Sequence, residues 1–151
     1  MAFPLPTPMR RALDLAREAA DAGEVPVGAV VTDGNDRIVA EARNAMRTSL
    51  DPTAHAEMVA LREAALTLGT PRLDDCTLWV SLEPCAMCAA AISIARVKAL
   101  RFAAEDPKGG AVMHGPRWFG QPTCHHRPDV IGGIGEEEAA AILRAFFAAR
   151  R

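Results

Sequence analysis

The alternation of apolar and polar positions predicts helices and strands in turn along the chain. Apolar residues recur at the spacing of one helix face from Thr7 until Gly23, which predicts a first helix. Residues 25–32 then form a short apolar run rich in β-branched side chains, and the turn sequence at residues 33–36 separates it from residues 37–43. This pattern is typical of a β-hairpin, so we expect the first two strands to be antiparallel neighbours.

The same alternation continues beyond residue 54. Residues 55–68 predict a second helix, which Gly69 ends, and residues 77–82 predict a third strand. Residues 85–95 are apolar around most of a helix circumference, which predicts a helix buried on more than one side. Residues 98–103 predict the next strand. A strand, a helix and a strand with short connections imply a right-handed parallel crossover.

The last third of the chain begins with a long loop. Residues 105–128 are rich in Gly, Pro and His, and loops of that length are usually functional or disordered. Residues 129–131 predict a short fifth strand, and a last helix begins at Glu136. The expected fold is therefore α/β, a three-layer α/β/α arrangement with a mixed five-stranded sheet. At 151 residues, positions 1–151 are expected to form a single domain.

Composition narrows the class of protein. The formal net charge of −2 argues against a protein whose whole surface binds nucleic acid, although a local basic patch is compatible with it. The first eight residues contain no apolar core of signal-peptide length, and no apolar stretch reaches the length of a membrane span. We therefore expect a cytoplasmic protein, in which Cys76 and Cys124 are free thiols.

Two short motifs together predict a catalytic metal site. The first contains His55 and Glu57, and the second contains Pro84, Cys85 and Cys88. Catalytic zinc sites commonly have three protein ligands and keep a fourth position open, and one His with two Cys satisfies that count. The expected ligands are His55, Cys85 and Cys88. Glu57 is not needed as a ligand, so its carboxylate is free to move protons as a general acid and base.

Both motifs are predicted at helix starts. Asp51 or Thr53 is expected to cap the helix that follows His55, and Pro84 is expected at the first position of the helix that carries the cysteines. Two helix N-termini would then place partial positive charge beside one ion. That charge favours the thiolate form of cysteine, which is the form that binds a metal.

These motifs, H-x-E followed by P-C-x-x-C, resemble those of the zinc-dependent cytidine and deoxycytidylate deaminase superfamily. Further matches at residues 25–30, Asn44, residues 106–110 and residues 146–147 extend the resemblance along nearly the whole chain. It is strongest to the bacterial tRNA-specific adenosine deaminases. The resemblance implies a cytidine deaminase-like fold, Zn²⁺ as cofactor and conversion of adenosine to inosine at the tRNA wobble position.

The resemblance also implies partners and a substrate contact. Asn44 is expected to hydrogen-bond the sugar or base of the substrate, which is a base extruded from the anticodon loop. The family and the apolar helix at residues 85–95 both suggest a homodimer. Further RNA contacts are expected from the loop at residues 105–128 and from the end of the last helix, at Arg144, Phe147, Arg150 and Arg151.

Three other interpretations remain open from the sequence. A guanine deaminase-like enzyme that acts on a free purine base or nucleoside shares the motifs. A structural zinc site would recruit a fourth ligand from the long loop, at Cys124, His125 or His126, and would leave Glu57 without a role. A non-catalytic redox domain would need only the two cysteines of the C-x-x-C motif.

Several polar side chains near the motifs have more ordinary expected roles. Glu83, which precedes Pro84, is expected to be a structural carboxylate and not a second base. The histidines of the long loop are expected to be solvated: His114, His125 and His126. Basic loop residues meet either phosphates or only water, and both possibilities stay open for Lys108, Arg117 and Arg127.

Overall fold

The computed structural model describes residues 4–150. Its helices and strands follow in the order α1 (Thr7–Asp21), β1 (Gly28–Thr32), β2 (Ile38–Arg43), α2 (Ala56–Leu68), β3 (Thr77–Leu82), α3 (Ala86–Ile94), β4 (Ala99–Ala104), β5 (Asp129–Ile131) and α4 (Glu136–Ala148). All the predicted helices and strands are present. Arg151, one of the residues expected to contact RNA, lies outside the described residues.

The five strands form one mixed sheet in the order β2-β1-β3-β4-β5. β1 is antiparallel to both β2 and β3, whereas β3, β4 and β5 run parallel to one another. The predicted hairpin and the parallel crossover through α3 are therefore confirmed. Because β3 and β4 are parallel, their carboxyl ends lie at the same edge of the sheet, beside the start of β1.

Helices cover both faces of the sheet. α1 and α4 pack on one face, around a buried cluster that includes Met9 and Leu13. α2 and α3 pack on the other face, around a larger cluster that includes Leu78, Ile92 and Phe102. The predicted three-layer α/β/α fold is confirmed. None of the helices within residues 4–150 is long and apolar enough to cross a membrane.

The first strand begins three residues later than the pattern predicts. Pro26 has no N–H for the sheet, and the N–H of Val27 donates to the carbonyl of Val25 at 2.8 Å, which turns the chain before the strand. Regular pairing starts at Gly28, where a Cβ would overlap the backbone of Ala12 in α1. The missing side chain at Gly28 therefore allows α1 to pack directly against β1.

Candidate active site

The two motifs meet where α2 and α3 begin. His55 is the N-cap residue of α2, and Cys85 is the N-cap residue of α3. Cys88 lies on the first turn of α3, three residues after Cys85. Both helix N-termini point towards the same place, beside the carboxyl end of β3, as the motif spacing predicts. Their partial positive charge favours anionic ligands there.

Two details of the predicted helix starts are wrong. Asp51 does not cap α2, because its carboxylate accepts hydrogen bonds from the N–H and Oγ1 of Thr53 at 2.8 and 2.7 Å. Thr53 does not cap it either, since the N-cap residue, His55, lies two residues later. Pro84 likewise precedes the N-cap of α3 and is not the first helical residue. In both cases the predicted ligand itself occupies the N-cap position.

The three predicted ligands are brought together. Nδ1 of His55 lies 3.5 Å from Sγ of Cys85 and 3.5 Å from Sγ of Cys88. One ligand atom from each residue lies within 4.8 Å of the other two. One imidazole nitrogen and two sulfurs are a donor set that zinc accepts with a fourth position left open.

The protonation of the two cysteines also fits a dication. A hydrogen bond from Cys88 lowers the pKa of Cys85 to about 4, against the effect of burial and with a smaller contribution from His55. The same hydrogen bond, together with burial and the nearby carboxylate of Glu57, raises the pKa of Cys88. The pair therefore holds one thiolate easily, and a second thiolate requires the charge of a bound cation.

Glu57 is buried beside this cluster. Its exposed fraction is 4%. The pKa of Glu57 is raised to about 7, mainly by burial and also by the neighbouring Cys85, although hydrogen bonds from its own N–H and from Cys88, together with His55, oppose the shift. A carboxyl group that titrates near neutral pH can both accept and return a proton. The structure thus places the predicted proton carrier next to the predicted ligands.

Asn44 has a structural contact that the sequence did not reveal. It is buried at the end of β2, and its Oδ1 accepts the N–H of Ala56 at 2.8 Å. Asn44 therefore provides the cap that the side chains of residues 51–55 do not give to α2. Its amide also lines the cavity in front of His55 and Glu57. With Oδ1 used by the helix, the amide group presents N–H donors to that cavity.

The cavity has a volume of about 270 Å³. Its wall combines side chains that precede β1, the end of β2, the starts of α2 and α3, and the loop that follows β4. The apolar part of the wall is Val25, Val27, Met46 and Leu82. An apolar cavity with a few convergent polar groups is the usual form of a small-molecule or base-binding site.

Glu83 holds one side of the cavity in place. Its side chain is completely buried, and its carboxylate accepts hydrogen bonds from the N–H groups of Asp106, Val112, Met113 and His114 at 2.9–3.2 Å. Although burial raises the pKa of Glu83, these hydrogen bonds and one from His114 lower it overall. A Cβ at Gly110 would overlap this carboxylate. The prediction of a structural carboxylate is confirmed, and its role is to hold the loop that follows β4.

Glu24 has the equivalent role on the opposite side and was not anticipated. Its exposed fraction is 2%, and it accepts hydrogen bonds from the N–H groups of Arg47 and Thr48 at 3.2 and 2.7 Å. The hydroxyl of Thr48 donates a third at 2.7 Å. In the sequence, Glu24 looks like any polar residue after a helix. The one available signal was its position directly before the apolar run 25–32.

Two of the loop histidines are not solvated as predicted. Nδ1 of His114 lies 2.9 Å from the carboxylate of Glu83, and Nε2 of His126 lies 2.6 Å from the carbonyl oxygen of Val97. Buried hydrogen-bond partners directly after β3 and just before β4 explain the difference. His125 is exposed, as expected.

The predicted alternative of a closed structural zinc site finds no fourth ligand. Cys124 lies against Ser93 and the carbonyl of His126, with its Sγ 3.4 Å from the hydroxyl of Ser93. Among the described residues, the group formed by His55, Cys85 and Cys88 includes none of the candidates from the long loop. All four cysteines are free thiols, as expected for Cys76 and Cys124.

A second hollow of about 600 Å³ continues from the cavity towards α4. The two share part of their walls, including Val25 and Leu82. The hollow ends at Phe147, whose exposed fraction is 49%, and Lys108 stands at its edge. The cavity in front of Glu57 therefore adjoins a larger hollow, whose wall combines Leu143 and Phe147 with the charged residues Glu105, Asp106 and Lys108.

Comparison with known families agrees with this site. Residues 6–104 match the model of the cytidine and deoxycytidylate deaminase zinc-binding region. The chain belongs to this deaminase family. The matched region contains all three of the residues that come together at the start of α2 and α3, and zinc is the metal that suits them.

Within this family, the chain is highly similar to tRNA-specific adenosine deaminases. The tRNA-specific adenosine deaminase of Agrobacterium fabrum is 54% identical over 144 residues, which cover 95% of this chain and 93% of the relative. A solved structure from a study of A-to-I editing by tRNA:A34 deaminases at the wobble position is 51% identical, with a TM-score of 0.88. The match covers 90% of this chain and 98% of the other.

A guanine deaminase is also similar, over a shorter length. The structure of guanine deaminase from Bacillus subtilis is 50% identical, with a TM-score of 0.63, and the match covers 66% of this chain and 63% of the other. The guanine deaminase from Nitrosomonas europaea matches 97% of this chain and 87% of its own, with a TM-score of 0.82 but an identity of 26%. The tRNA-specific relative from Agrobacterium fabrum combines high identity with coverage of nearly the whole chain.

Proposed function

We propose that the protein hydrolyses the wobble adenosine of a tRNA to inosine and releases ammonia. The observation that carries this proposal is the similarity to a tRNA-specific adenosine deaminase at 54% identity over 95% of the chain. The buried carboxylate of Glu57 beside a three-ligand metal group supports hydrolytic deamination as the chemistry.

In this proposal His55, Cys85 and Cys88 hold one Zn²⁺. When bound, zinc acts as a Lewis acid and lowers the pKa of a coordinated water to about 7. The cluster of mutually close ligand atoms contains only His55, Cys85 and Cys88 among the described residues, which supports a fourth position left open. The N-termini of α2 and α3 add positive potential at the same place.

Glu57 carries the protons. Its carboxylate accepts a proton from the attacking water, and the oxygen of that water forms a bond to the amine-bearing carbon of the base. Glu57 passes that proton to a ring nitrogen of the base. It then takes the second proton from the added oxygen and delivers it to the amine, so that the carbon–nitrogen bond breaks, ammonia leaves and the base keeps the oxygen as a carbonyl. Burial supports this role, since a pKa near neutral pH makes both transfers accessible.

Asn44 orients the base in this proposal. Because its Oδ1 is held by the N–H of Ala56, its amide nitrogen is the atom that remains for the substrate. It can donate to an acceptor on the base or the sugar, and the geometry supports a fixed direction for that donor. The same contact joins the substrate position to the start of α2, which carries His55 and Glu57.

A polynucleotide suits the surface around the cavity better than a free base does. The hollow beyond the cavity offers Leu143 and Phe147 as an apolar surface for a neighbouring base, and Lys108 at its edge can meet a phosphate. An extruded anticodon-loop base also has a low cost of unstacking. The free-purine alternative is supported by the similarity to the guanine deaminase of Bacillus subtilis.

We further propose that the protein is one domain, that it acts in the cytoplasm, where tRNA is available, and that it forms a homodimer. The homodimer is supported by the outer face of α3, where Ile94 has an exposed fraction of 80%. Ala90, Trp118 and His125 lie around the same hollow of about 410 Å³. Exposed apolar residues beside a hollow are typical of an interface between proteins.

The decisive experiment compares ammonia release from several substrates under the same conditions. The substrates are a tRNA with a wobble adenosine, the same tRNA with a wobble guanosine, and free guanine, adenine, adenosine and cytosine. We expect rapid release only from the first. Rapid consumption of guanine, with no release from the adenosine-bearing tRNA, would establish the free-purine alternative instead.

A further inference from the structure

The cavity wall opposite the loop that follows β4 is formed by residues 44–54, which we call the Met46 loop. Met46 lines the cavity together with Asn44. The loop is closed at its base, since the N–H of Ala45 donates to the carbonyl of Ala54 at 3.0 Å. Met46 lies just beyond that closure, in a turn in which its carbonyl accepts the N–H of Asp51 at 3.0 Å. The position of this turn against the rest of the protein therefore depends on what holds its next residues.

The next residues, Arg47 and Thr48, are held by Glu24. The three hydrogen bonds that the described residues donate to this carboxylate all come from those two positions. Glu24 is itself anchored, because its N–H donates to the carbonyl of Ala19 near the end of α1 at 2.9 Å. A continuous chain of contacts therefore joins α1 to Glu24, to Thr48 and to the neighbour of Met46.

Glu24 is held as an anion at neutral pH. Burial raises its pKa, but the hydrogen bonds from Thr48 and Arg47 outweigh that effect and lower it overall. If the loop moved away, a buried carboxylate would lose these donors, which carries a large desolvation cost. The anchor therefore resists displacement of the loop more strongly than an exposed contact would.

We propose that Glu24 is a positioning residue for deamination: by fixing Arg47 and Thr48 it sets the position of the Met46 wall against the target base. This inference rests on the proposed function, because the wall matters only if a base enters the cavity. Met46 touches the base and not the reacting atoms. Its displacement should therefore weaken ground-state and transition-state binding alike, and raise KM more than it lowers kcat.

The test uses the zinc-loaded, full-length protein and the variant Glu24→Gln. The amide is almost isosteric, but it removes the charge and turns an N–H₂ group towards two backbone donors. We expect the amide hydrogens of Arg47 and Thr48 to exchange at least about tenfold faster. Trypsin should cleave faster after Arg47. KM for the tRNA should rise about five- to tenfold, kcat should change by less than about threefold, and zinc content should stay the same.

Asp33→Asn is the matched control. Asp33 also accepts two backbone N–H groups, from Asn35 and Arg37, but it lies in the β1–β2 turn at the opposite end of the sheet from the cavity. We expect this variant to change exchange only around its own turn and to leave KM and kcat unchanged. If the loss of any carboxylate that binds backbone N–H groups were enough to change KM, both variants would show the change.

A double variant of Glu24 and Met46 distinguishes a specific positioning of Met46 from a general loss of rigidity in the protein. Met46→Ala should raise KM on its own, and adding Glu24→Gln to it should raise KM no further, because the wall that Glu24 positions is already gone. Should Glu24→Gln fail to fold, Thr48→Val removes one of the three donors and should produce a smaller change in the same direction.

Two results would overturn the proposal. The first is fast amide hydrogen exchange at Thr48 in Glu24→Gln with a KM within twofold of the parent. The second is a double variant whose KM rises by the full product of the increases caused by Glu24→Gln and Met46→Ala separately. A parent protein that is inactive on tRNA would instead contradict the proposed function. The same variants would then be assayed with guanine as substrate. The role of Glu24 would be supported if faster amide hydrogen exchange at Arg47 and Thr48 is again accompanied by a higher KM, and overturned if KM does not change.

Discussion

Individual side chains at the site differ in how far the sequence could identify them. His55, Glu57, Cys85 and Cys88 could be proposed from the sequence because they form two short motifs with a zinc donor set and a surplus carboxylate, and because these motifs resemble those of the deaminase family. Glu24 was not predictable in the same way. Whether a glutamate is solvated or buried against backbone N–H groups depends on long-range packing, which leaves no local pattern.

Glu57→Gln tests the assignment of the proton carrier. The amide has nearly the same shape but cannot take up the water's proton, so we expect the rate on the adenosine-bearing tRNA to fall at least about a hundredfold. Zinc content and thermal stability should stay close to those of the parent, since Glu57 is not counted among the ligands. A rate within a few-fold of the parent would remove Glu57 from the mechanism.

Removing a predicted zinc ligand should lower both the zinc content and the folding stability, unlike Glu57→Gln. Cys88→Ala leaves one nitrogen and one sulfur donor, so we expect the variant to lose its zinc and, with it, folding stability, because metal binding is linked to folding. Elemental analysis and thermal unfolding measure the two losses. Cys124→Ala is the control, as its thiol lies against Ser93 and not at the metal group. Full zinc content in Cys88→Ala would contradict the ligand assignment.

Whole elements were predicted more accurately than their ends. The periodic apolar pattern identified the helices and strands because each element buries one face. The start of β1 was misplaced because apolar character continues through Pro26, where the backbone cannot pair. The cap of α2 was misplaced because it comes from Asn44, twelve residues earlier in sequence than the N–H that it accepts.

One carboxylate joins α4 to α1 beside the buried apolar cluster between them. Glu138 accepts a hydrogen bond from Arg10 at 2.9 Å and pairs with Arg17 at 2.8 Å. The hydrogen bond from Arg10 lowers the pKa of Glu138 to about 2, with a further contribution from Arg17 and against a smaller effect of burial. This contact matters for the site because α4 carries Phe147.

The pKa shift of Glu138 predicts a pH-dependent contribution to stability. A carboxylate with a lowered pKa stabilises the folded state above its unfolded value near 4.5, and that contribution disappears as the pH falls towards about 2. We expect Glu138→Gln to reduce the free energy of unfolding by about 1–2 kcal/mol at pH 7, a modest value because both arginines are partly exposed.

Denaturant unfolding at several pH values measures this effect. The difference between Glu138→Gln and the parent should be constant from pH 7 to about 5 and should shrink as the pH falls through 4 to about 2. Other carboxylates with lowered pKa values contribute equally to both proteins, so they cancel in the difference. A difference that is independent of pH down to 2 would contradict the ion pair.

The 17 Lys and Arg residues of the whole molecule are offset by 19 Asp and Glu residues. A net charge of −2 allows only local phosphate contacts, so we expect tRNA affinity to fall with salt at a shallow slope of about 0.7 per phosphate neutralised. Lys108→Gln should reduce that slope by about one contact. Titration of tRNA binding at several salt concentrations measures both values, and an unchanged slope in the variant would place Lys108 outside the interface.

The assembly of two copies is tested at the outer face of α3. Ile94→Asp places a charge on the exposed side chain of that face, and we expect it to convert a dimer into a monomer in light scattering after size-exclusion chromatography. Leu66→Asp is a suitable control, because Leu66 has a similar exposed fraction of 83% but lies on α2 and not at the α3 hollow. A dimer that persists in Ile94→Asp would place the interface elsewhere.

The strand order has a consequence for how the protein assembles during synthesis. All three ligands have left the ribosome once residue 88 has emerged, and β1, β2 and β3 can already pair. The donors that Glu83 binds, from Asp106 to His114, come later, after the parallel strand β4. A nascent chain should therefore be able to bring its three predicted ligands together before the loop that completes the cavity wall has been synthesised.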